Sequence, residues 1–381
     1  MNILLLDQYS DLGGAQQAFA EFLPSIRERG WHAVVGLPGN GKLFDIAGGL
    51  GLKVERIDCG PYRSGRKSVA DMERFLAQTP RLARQIRKLA CRVEADLVYL
   101  NGPRLAPAAA LARLSCPVLF HCHSWLPASL ARKATGVALW WLNARVVANC
   151  DFVAEQWRGY VREERISTIL NGVAGPGKTS PRKPIGTPRI GCIGRISQEK
   201  GQLEFVAAAA RILETMPECR FAVYGEAMFG NPEAQRYAAD VCAAAAGLPI
   251  EFCGWVSDVY SALAELDLVL VPSVGAEATT RVILEAFAAG VPVIAFDCGG
   301  ISEVVADGVT GVLTRSVEEM AREAVALLNG APERRAAMAR AGRADWERRF
   351  TKEKFHGQLL AVMEEWAWRG VVDGAGRGGV G

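Results

Sequence analysis

The sequence lacks an apolar segment long enough to cross a membrane. No run in its 381 residues approaches the roughly 18 consecutive apolar residues that a transmembrane helix needs. The N-terminus, Met1-Asn-Ile-Leu-Leu-Leu-Asp, has no cationic region before its apolar residues, so we interpret it as a buried strand and not as a signal peptide. Because 50% of the residues are hydrophobic and 22% are charged, we expect a globular protein large enough for two domains.

Signatures of disulfides and of metal sites are missing as well. The ten cysteines form no Cys-x-x-Cys pair, and several lie in or beside apolar runs, which is typical of free core thiols in a reducing cytosol. No Asp-x-Asp pair occurs, and no third histidine or carboxylate stands at ligand spacing from His121-Cys-His123. The sequence therefore predicts a cytoplasmic protein without a metal site.

Negative charge is scarce in the first half of the chain. Residues 1–172 carry 22 Lys and Arg against 15 Asp and Glu, although the whole chain has a formal net charge of only +3. Within a dense basic stretch, four cations recur at helical spacing: Arg74, Arg81, Arg84 and Lys88. They indicate either a solvated helix face or a surface that meets anionic lipid or an anionic acceptor. Nucleic acid is not expected as a partner, because aromatic residues are not interleaved with these charges.

The pattern of apolar runs predicts an α/β protein of two domains. Short runs typical of buried parallel strands alternate with helical patterns over residues 1–173 and again, after a Pro- and Gly-rich linker at 174–188, over residues 189–350. Two such units predict two Rossmann-like, doubly wound parallel sheets that face a central cleft. A helix at 351–368 is expected to pack back on the N-terminal domain, and a Gly-rich tail at 369–381 to be flexible.

Ligands of doubly wound sheets bind beyond the carboxyl ends of the strands, so the residues that follow each strand are candidates for a site. The strands that precede these candidates are predicted at Ile3–Leu6, Val118–His121, Arg189–Ile193, Ile250–Phe252 and Leu268–Val271.

The most informative of these segments is Glu277-Ala-Thr-Thr-Arg281-Val-Ile-Leu-Glu285, which places two carboxylates across the junction of a loop and a helix. Such a junction offers free backbone N–H groups and the positive end of a helix dipole, so it can hold an anion. The two carboxylates can accept hydrogen bonds from sugar hydroxyls. The segment therefore predicts a ligand that is both phosphorylated and rich in hydroxyls, such as a nucleotide-sugar.

Two other strand ends in the second domain carry candidates. Arg195 and Lys200 stand five positions apart between glycines, and such a pair suits a diphosphate, because Arg supplies a rigid fork and Lys a point charge. The alternative is a solvated surface pair. Trp255 and Val256 follow the strand at Ile250–Phe252, where they form either a wall for a nucleotide base or an ordinary part of the core.

The first domain contributes two candidate segments. Gly13 and Gly14 lead into a helix, where their backbone can approach a ligand closely, although a plain turn would have the same sequence. His121 and His123 follow the fourth strand, and alternation puts both on one side of an extended segment. They are either ligand-binding or structural, and the sequence does not tell which of the two faces the cleft.

Taken together, these motifs resemble the retaining glycosyltransferases of family 4, the glycosyl transferases group 1, which have the GT-B fold. The resemblance covers nearly the whole chain. It includes Gly13-Gly14 as the glycine loop, Asn171-Gly172 before the linker, Gly194-Arg195 to Lys200-Gly201 as the phosphate loop, and Glu277 to Glu285 as the paired-glutamate motif.

The resemblance implies a metal-independent, retaining transfer of a sugar from a nucleoside-diphosphate sugar to a glycan or lipid-linked acceptor, in glycan biosynthesis. Glu285 would bind the ribose and Glu277 the donor sugar, with the backbone at Thr279 and Thr280 in reach of the same ligand. Arg195 and Lys200 would neutralise the leaving diphosphate, and His121 or His123 would hold the sugar. No other cofactor is implied.

Two other functions are alternatives to this hypothesis. A nucleotide-sugar epimerase of similar fold would need an acid/base pair and no acceptor, and a non-catalytic relative would bind nucleotide-sugar as a partner subunit.

A predicted helix within residues 128–143 contains Trp140 and Trp141 beside Arg132 and Lys133, which suits either a buried helix or one at a membrane interface. The second possibility would place the protein peripherally at the inner face of an anionic membrane.

Overall fold

A computed structural model of the protein describes residues 1–60, 69–177, 186–227 and 232–375, with side chains to residue 368 in the last helix. The chain divides into two compact units. The N-terminal unit contains Met1–Asn171 and the residues from Glu353 onward, and the C-terminal unit contains Gly172–Lys352. Much of the predicted linker, residues 178–185, lies outside the described residues.

The N-terminal unit is built on a parallel sheet of seven strands, in the order β3-β2-β1-β4-β5-β6-β7. Its central strands are buried and mostly apolar, as expected for a parallel sheet covered on both faces. The strands are β1 Asn2–Asp7, β2 His32–Leu37, β3 Lys53–Arg56, β4 Leu97–Asn101, β5 Val118–Cys122, β6 Arg145–Ala148 and β7 Ile166–Thr168. The helices between them are α1 Gly14–Glu28, α2 Lys42–Gly49, α3 Val69–Arg92, α4 Ala106–Ala112, α5 Leu130–Trp141 and α6 Asp151–Glu155.

The C-terminal unit repeats the architecture with a six-stranded parallel sheet in the order β10-β9-β8-β11-β12-β13. Its strands are β8 Arg189–Ile193, β9 Arg220–Tyr224, β10 Ile250–Gly254, β11 Leu268–Val271, β12 Val293–Phe296 and β13 Val312–Thr314. Its helices are α7 Gln202–Thr215, α8 Pro232–Ala244, α9 Val259–Leu263, α10 Arg281–Ala289, α11 Val317–Asn329 and α12 Pro332–Arg349.

The last helix, α13 Lys352–Ala375, returns to the N-terminal unit. Phe355, Leu359, Met363 and Trp366 are buried in that unit's core, and the Trp366 indole donates a hydrogen bond to the Val118 carbonyl at 3.1 Å. The helix continues beyond its predicted end at residue 368. The remainder of the predicted tail, residues 376–381, lies outside the described residues.

In both sheets the strand order reverses beside the first strand of the unit. The reversal falls between β1 and β4 in one sheet and between β8 and β11 in the other. Loops that leave two such neighbouring strands in opposite directions open a crevice at the carboxyl edge, which is where doubly wound folds bind ligands. Lys200 follows β8, Glu277 follows β11 and Gly13 follows β1, so these candidates lie at the two places. The candidate histidines lie at the end of β5, one strand away, and Val256 follows the edge strand β10.

Candidate active site

In the C-terminal unit, Lys200 joins the loop after β8 to the loop after β11. Its Nζ lies 2.6 Å from Glu277 Oε2 and donates a second hydrogen bond, at 3.4 Å, to Thr280 Oγ1. The Lys200 and Glu277 side chains are 21% and 13% exposed, so the ion pair is largely withdrawn from solvent. The two motifs that the sequence singled out separately therefore meet at the reversal point of the sheet.

Two glycines allow these loops to approach each other. Gly201 has a φ of +69°, and a Cβ there would lie 1.8 Å from the Pro272 carbonyl oxygen. Gly299, which follows β12, has a φ of +57°, and its Cβ would lie 1.7 Å from the Glu277 carbonyl oxygen. Both positions combine a left-handed backbone with a contact that excludes any side chain. Gly299 thus lets the backbone after β12 lie against Glu277, and Gly201 lets the loop after β8 lie against Pro272.

Arg195 is held differently from Lys200. Its guanidinium lies 2.5 Å from Glu199, and the Arg195 carbonyl accepts a hydrogen bond from Gln202 at 2.9 Å. The Glu199 carbonyl accepts from the Val274 amide at 3.0 Å, which again ties the loop after β8 to the loop after β11. The predicted cation pair thus lies on one loop, with each cation beside its own carboxylate.

The helix α10 begins next to this ion pair. Thr280 is its N-cap, and the N–H groups of a first helical turn have no partner in a preceding turn. Arg281 and Glu285 form an ion pair at 3.5 Å one turn apart, and each side chain is 13% exposed. Thr279 and Thr280 are buried, and the Thr280 hydroxyl accepts the hydrogen bond from Lys200.

The thiol of Cys298, close to Glu277, is not an activated nucleophile. Burial, reinforced by the Glu277 carboxylate, raises the pKa of the Cys298 thiol to about 11, and that thiol donates a hydrogen bond to the Ser273 carbonyl.

Val256 lies half-buried after β10, and the neighbouring Trp255 is 45% exposed. Among the described residues, no group of three or more His, Cys, Asp or Glu side chains could hold a metal ion.

The helix start at Gly13 and Gly14 lies at the carboxyl edge of the N-terminal sheet. Gly13 is the N-cap of α1 and has an extended backbone, with a φ of −108°. A Cβ at Gly14 would meet nothing within 4 Å. Neither glycine is therefore required by its own backbone, and the absent side chains leave the start of α1 open.

The predicted histidines lie side by side at the same edge, with ring centroids 3.9 Å apart, as the alternation predicted. His121 is 1% exposed and its Nδ1 lies 2.5 Å from the Tyr99 hydroxyl. His123 is partly buried and its Nε2 lies 2.8 Å from Asn101 Oδ1. Burial lowers the pKa of His123 to about 4 and that of His121 well below its usual range, so both rings are neutral at pH 7.

Sequence reasoning missed the residues that hold this pair. Asp7 and Asn101 are opposite each other in the β1–β4 register, and Asn101 donates a hydrogen bond from Nδ2 to the Asp7 carboxylate. Asp7 also accepts from the Tyr9 amide at 2.8 Å and from Gln16 at 3.0 Å. Burial is the largest influence on Asp7 and raises its pKa to about 7. The signal was available, because each residue is the polar end of an apolar central strand.

The fold and these two sites define a protein of the GT-B class, and the comparisons place it within that class. The Glycosyltransferase Family 4 model matches residues 12–174, and the Glycosyl transferases group 1 model matches residues 187–330. The chain therefore belongs to glycosyltransferase family 4.

Relatives of this chain include two curated proteins and one solved structure. The D-inositol 3-phosphate glycosyltransferase of Segniliparus rotundus is 37% identical over 169 residues, which are 42% of this chain and 37% of that protein's length. The phosphatidyl-myo-inositol mannosyltransferase of Mycobacterium leprae is 26% identical over 94% of each chain. Anabaena HepE, solved in complex with UDP and glucose, is 26% identical, with a TM-score of 0.79 over 96% of this chain and 99% of that one.

Proposed function

We propose that this protein transfers a sugar from a nucleoside-diphosphate sugar to an acceptor hydroxyl, with retention of the anomeric configuration. The observation that carries the proposal is the partly buried contact of Lys200 with Glu277 and Thr280, beside the start of α10 at the reversal point of a parallel sheet. Cation, helix start and carboxylate are the groups that a diphosphate and a sugar would use.

The ion pair also suggests how the donor is received. A diphosphate that binds at α10 competes with Glu277 for Lys200, since a second anion of higher charge then lies within reach of the ammonium. Glu277, freed from that hydrogen bond, accepts hydroxyl groups of the donor sugar. Arg195 and the first N–H groups of α10 complete the neutralisation of the leaving diphosphate, which needs no metal ion in this scheme.

The remaining site residues have roles that follow from family membership. Glu285 binds the ribose hydroxyls, Val256 packs against the base, and His123 or His121 contacts the donor sugar. With Cys298 protonated, the leaving phosphate oxygen is the base that takes the acceptor's proton as the acceptor oxygen attacks the anomeric carbon. Product stereochemistry, read by NMR before the anomers equilibrate, tests retention.

The acceptor is proposed from the relatives and from one surface. Two of the curated relatives are named for glycosyl transfer to an inositol phosphate or a phosphatidylinositol. In the N-terminal unit, α4 packs between α3 and α5. Helix α3 exposes the cations Arg74, Arg81, Arg84 and Lys88, whereas α5 exposes Leu130, Val137, Trp140 and Trp141.

Both sets together suit an anionic membrane surface, where indoles lie at the headgroup level and cations meet phosphates. The opposite face of α5, with Leu139, is buried in the unit. No helix in the described part of the chain is long and apolar enough to span a membrane. We therefore propose a lipid-linked acceptor that is reached from the membrane surface.

Donor binding is tested by thermal unfolding with UDP, GDP, ADP and dTDP, each with and without EDTA. A ligand at 100 times its Kd stabilises the native state by about 2.7 kcal/mol, which raises Tm measurably. We expect one nucleotide to be preferred, the shift to be unchanged by EDTA, and Lys200→Met to abolish it. Equal shifts with Lys200→Met and with the wild type would disprove the phosphate assignment, and Lys53→Met, a surface cation outside the site, is the control.

A further inference from the structure

A line of polar side chains follows the carboxyl edge of the N-terminal sheet from β5 to β1. Tyr99 contacts His121, the two histidine rings are adjacent, His123 contacts Asn101, and Asn101 contacts Asp7. Tyr99, His121, Asn101 and Asp7 are each at most 1% exposed, so solvent does not decide which atom carries each proton. The partners themselves must decide it.

Asp7 determines which atoms donate and which accept at one end of this line of side chains. An ionised carboxylate only accepts hydrogen bonds, so Asn101 must present its NH2 group to Asp7 and its carbonyl oxygen to His123. A carbonyl oxygen also only accepts, so the His123 Nε2 atom must carry the proton. His123 is neutral, and its Nδ1 is therefore a lone-pair acceptor.

The second histidine packs against the first. His123 Nδ1 and His121 Nε2 are both buried, and neither has a hydrogen-bond partner among the described residues. The ring centroids lie 3.9 Å apart, closer than an in-plane N–H···N bond between two imidazoles allows, so the rings lie against each other without such a bond. His121 Nδ1 lies 2.5 Å from the Tyr99 hydroxyl, whose pKa burial raises well above its usual value, and this contact holds the His121 ring beside His123.

We propose that Asp7 and Asn101 are positioning residues that hold His123 as its Nε2–H tautomer, through one hydrogen bond from His123 to Asn101 and one from Asn101 to Asp7. The tautomer is a property of the free protein. Its use in contacting the donor sugar rests on the proposed function, because Nδ1 of that tautomer is a lone-pair acceptor for a hydroxyl group.

Asp7, at the end of this series of hydrogen bonds, is the group that titrates. Protonated Asp7 would need an acceptor, which Asn101 supplies by turning its amide, and His123 Nε2 would then face an NH2 group and lose its proton to Nδ1. The ionisable groups near Asp7 leave it alone to titrate near pH 7, because Tyr99 and Cys59 are neutral there and both histidines are uncharged. His123 should thus exchange tautomers between pH 8 and pH 6 without becoming charged.

The test is ¹⁵N NMR of the full-length protein labelled at histidine, which shows which ring nitrogen of each neutral imidazole is protonated. The protein has four histidines. His32 and His356 are not part of these hydrogen bonds and serve as internal references. At pH 8 we expect protonated Nε2 on His123, with a shift towards protonated Nδ1 at pH 6. Asp7→Asn should abolish the pH step, and Asn101→Leu should remove the preference at pH 8.

Gln16→Met is the matched control, because Gln16 donates to the same carboxylate and no hydrogen bond among the described residues joins it to His121 or His123. It should keep the wild-type tautomers. A wild-type spectrum with Nδ1 protonated on His123 at pH 8 would overturn the proposal, even if every variant failed to fold. So would an unchanged spectrum in Asn101→Leu.

Turnover then tests the positioning role. Asn101→Leu should lower kcat more than tenfold while the thermal shift with nucleoside diphosphate persists. Unchanged kcat alongside altered tautomers would overturn the role in catalysis. If the protein has no transferase activity, the wild-type NMR pattern would stand while turnover is absent in every variant, so the two failures are distinguishable.

Discussion

Glu277 and Glu199 provide a matched comparison at the scale of single residues. Each carboxylate pairs with a cation of the loop after β8, Glu277 with Lys200 and Glu199 with Arg195. If Glu277 serves only to hold its cation, Glu277→Gln and Glu199→Gln should have similar effects. If it binds the donor sugar, only Glu277→Gln should impair transfer.

We expect Glu277→Gln to lower kcat about tenfold to a hundredfold, since a hydrogen bond to a charged group contributes ~1.5–3 kcal/mol. The Kd for nucleoside diphosphate should stay the same or fall, because Lys200 is released. Steady-state kinetics and calorimetric titration of both variants measure this. Weaker nucleotide binding in Glu277→Gln would assign the carboxylate to the nucleotide and not to the sugar.

Asp7 links folding stability to pH. Its pKa is raised from 3.8 to about 7 on folding, so the folded protein binds the extra proton between these values. Stability therefore falls as pH rises through this window and is level above it. Between pH 5 and pH 8 the loss amounts to about 3 kcal/mol, at ~1.36 kcal/mol per pH unit.

Asp7→Asn removes this dependence and leaves every other titrating group in place. The difference in unfolding free energy between wild type and Asp7→Asn should therefore shift by about 3 kcal/mol against the wild type from pH 5 to pH 8. Urea unfolding at both pH values gives the difference directly. A difference independent of pH would mean that Asp7 stays ionised in the folded protein.

At the scale of elements, sequence patterns predicted the strands best. The apolar runs before the site were placed within two residues of their observed ends, because strands buried on both faces are apolar along most of their length. Short β7, with three residues, and the Arg- and Ala-rich α12 were not predicted, since neither has a long apolar pattern. Helix α13 extends past the point where composition turns Gly-rich.

The candidate site was predicted by position and not by contact. Glu277, Lys200 and the histidines follow predicted strands, which is sufficient to nominate them. That Lys200 pairs with Glu277 depends on which strands are neighbours, and Asp7 was overlooked because a single polar residue after an apolar run is common. Such pairings arise from tertiary register, which a single sequence does not encode locally.

The loop after β8 depends on Gly201 for its shape. Gly201→Ala would place a methyl group against the Pro272 carbonyl in a left-handed backbone. Gly247 also has a left-handed backbone, with a φ of +82°, but a Cβ there would lie in open space. We expect Gly247→Ala to cost about 1–2 kcal/mol and Gly201→Ala about 1–3 kcal/mol more. Thermal unfolding and nucleotide binding measure both, and equal costs would mean that the loop relaxes freely.

At the scale of the whole molecule, charge is unevenly divided. Residues 1–172 have a surplus of cations, with 22 Lys and Arg against 15 Asp and Glu, and the exposed ones on α3 lie in the same unit as the tryptophans of α5. Cations without aromatic side chains would bind anionic surfaces weakly and reversibly. Aromatic residues beside them give an apolar contribution that salt does not screen.

Membrane binding should therefore show two separable parts. Trp140 and Trp141 are 63% and 70% exposed, and Trp368, at 69%, is a tryptophan of equal exposure on another helix. In flotation with vesicles of phosphatidylcholine and phosphatidylglycerol, we expect the double variant Trp140→Ala/Trp141→Ala to bind at least tenfold more weakly, and Trp368→Ala to bind as the wild type does. Arg132→Gln/Lys133→Gln should lose about 2 kcal/mol, since each cation near an anionic surface contributes ~1 kcal/mol, and high salt should remove that difference. Equal binding to neutral and anionic vesicles would contradict the charge contribution. A loss of binding in Trp368→Ala as large as that in the double variant would contradict α5 as the surface that meets the membrane.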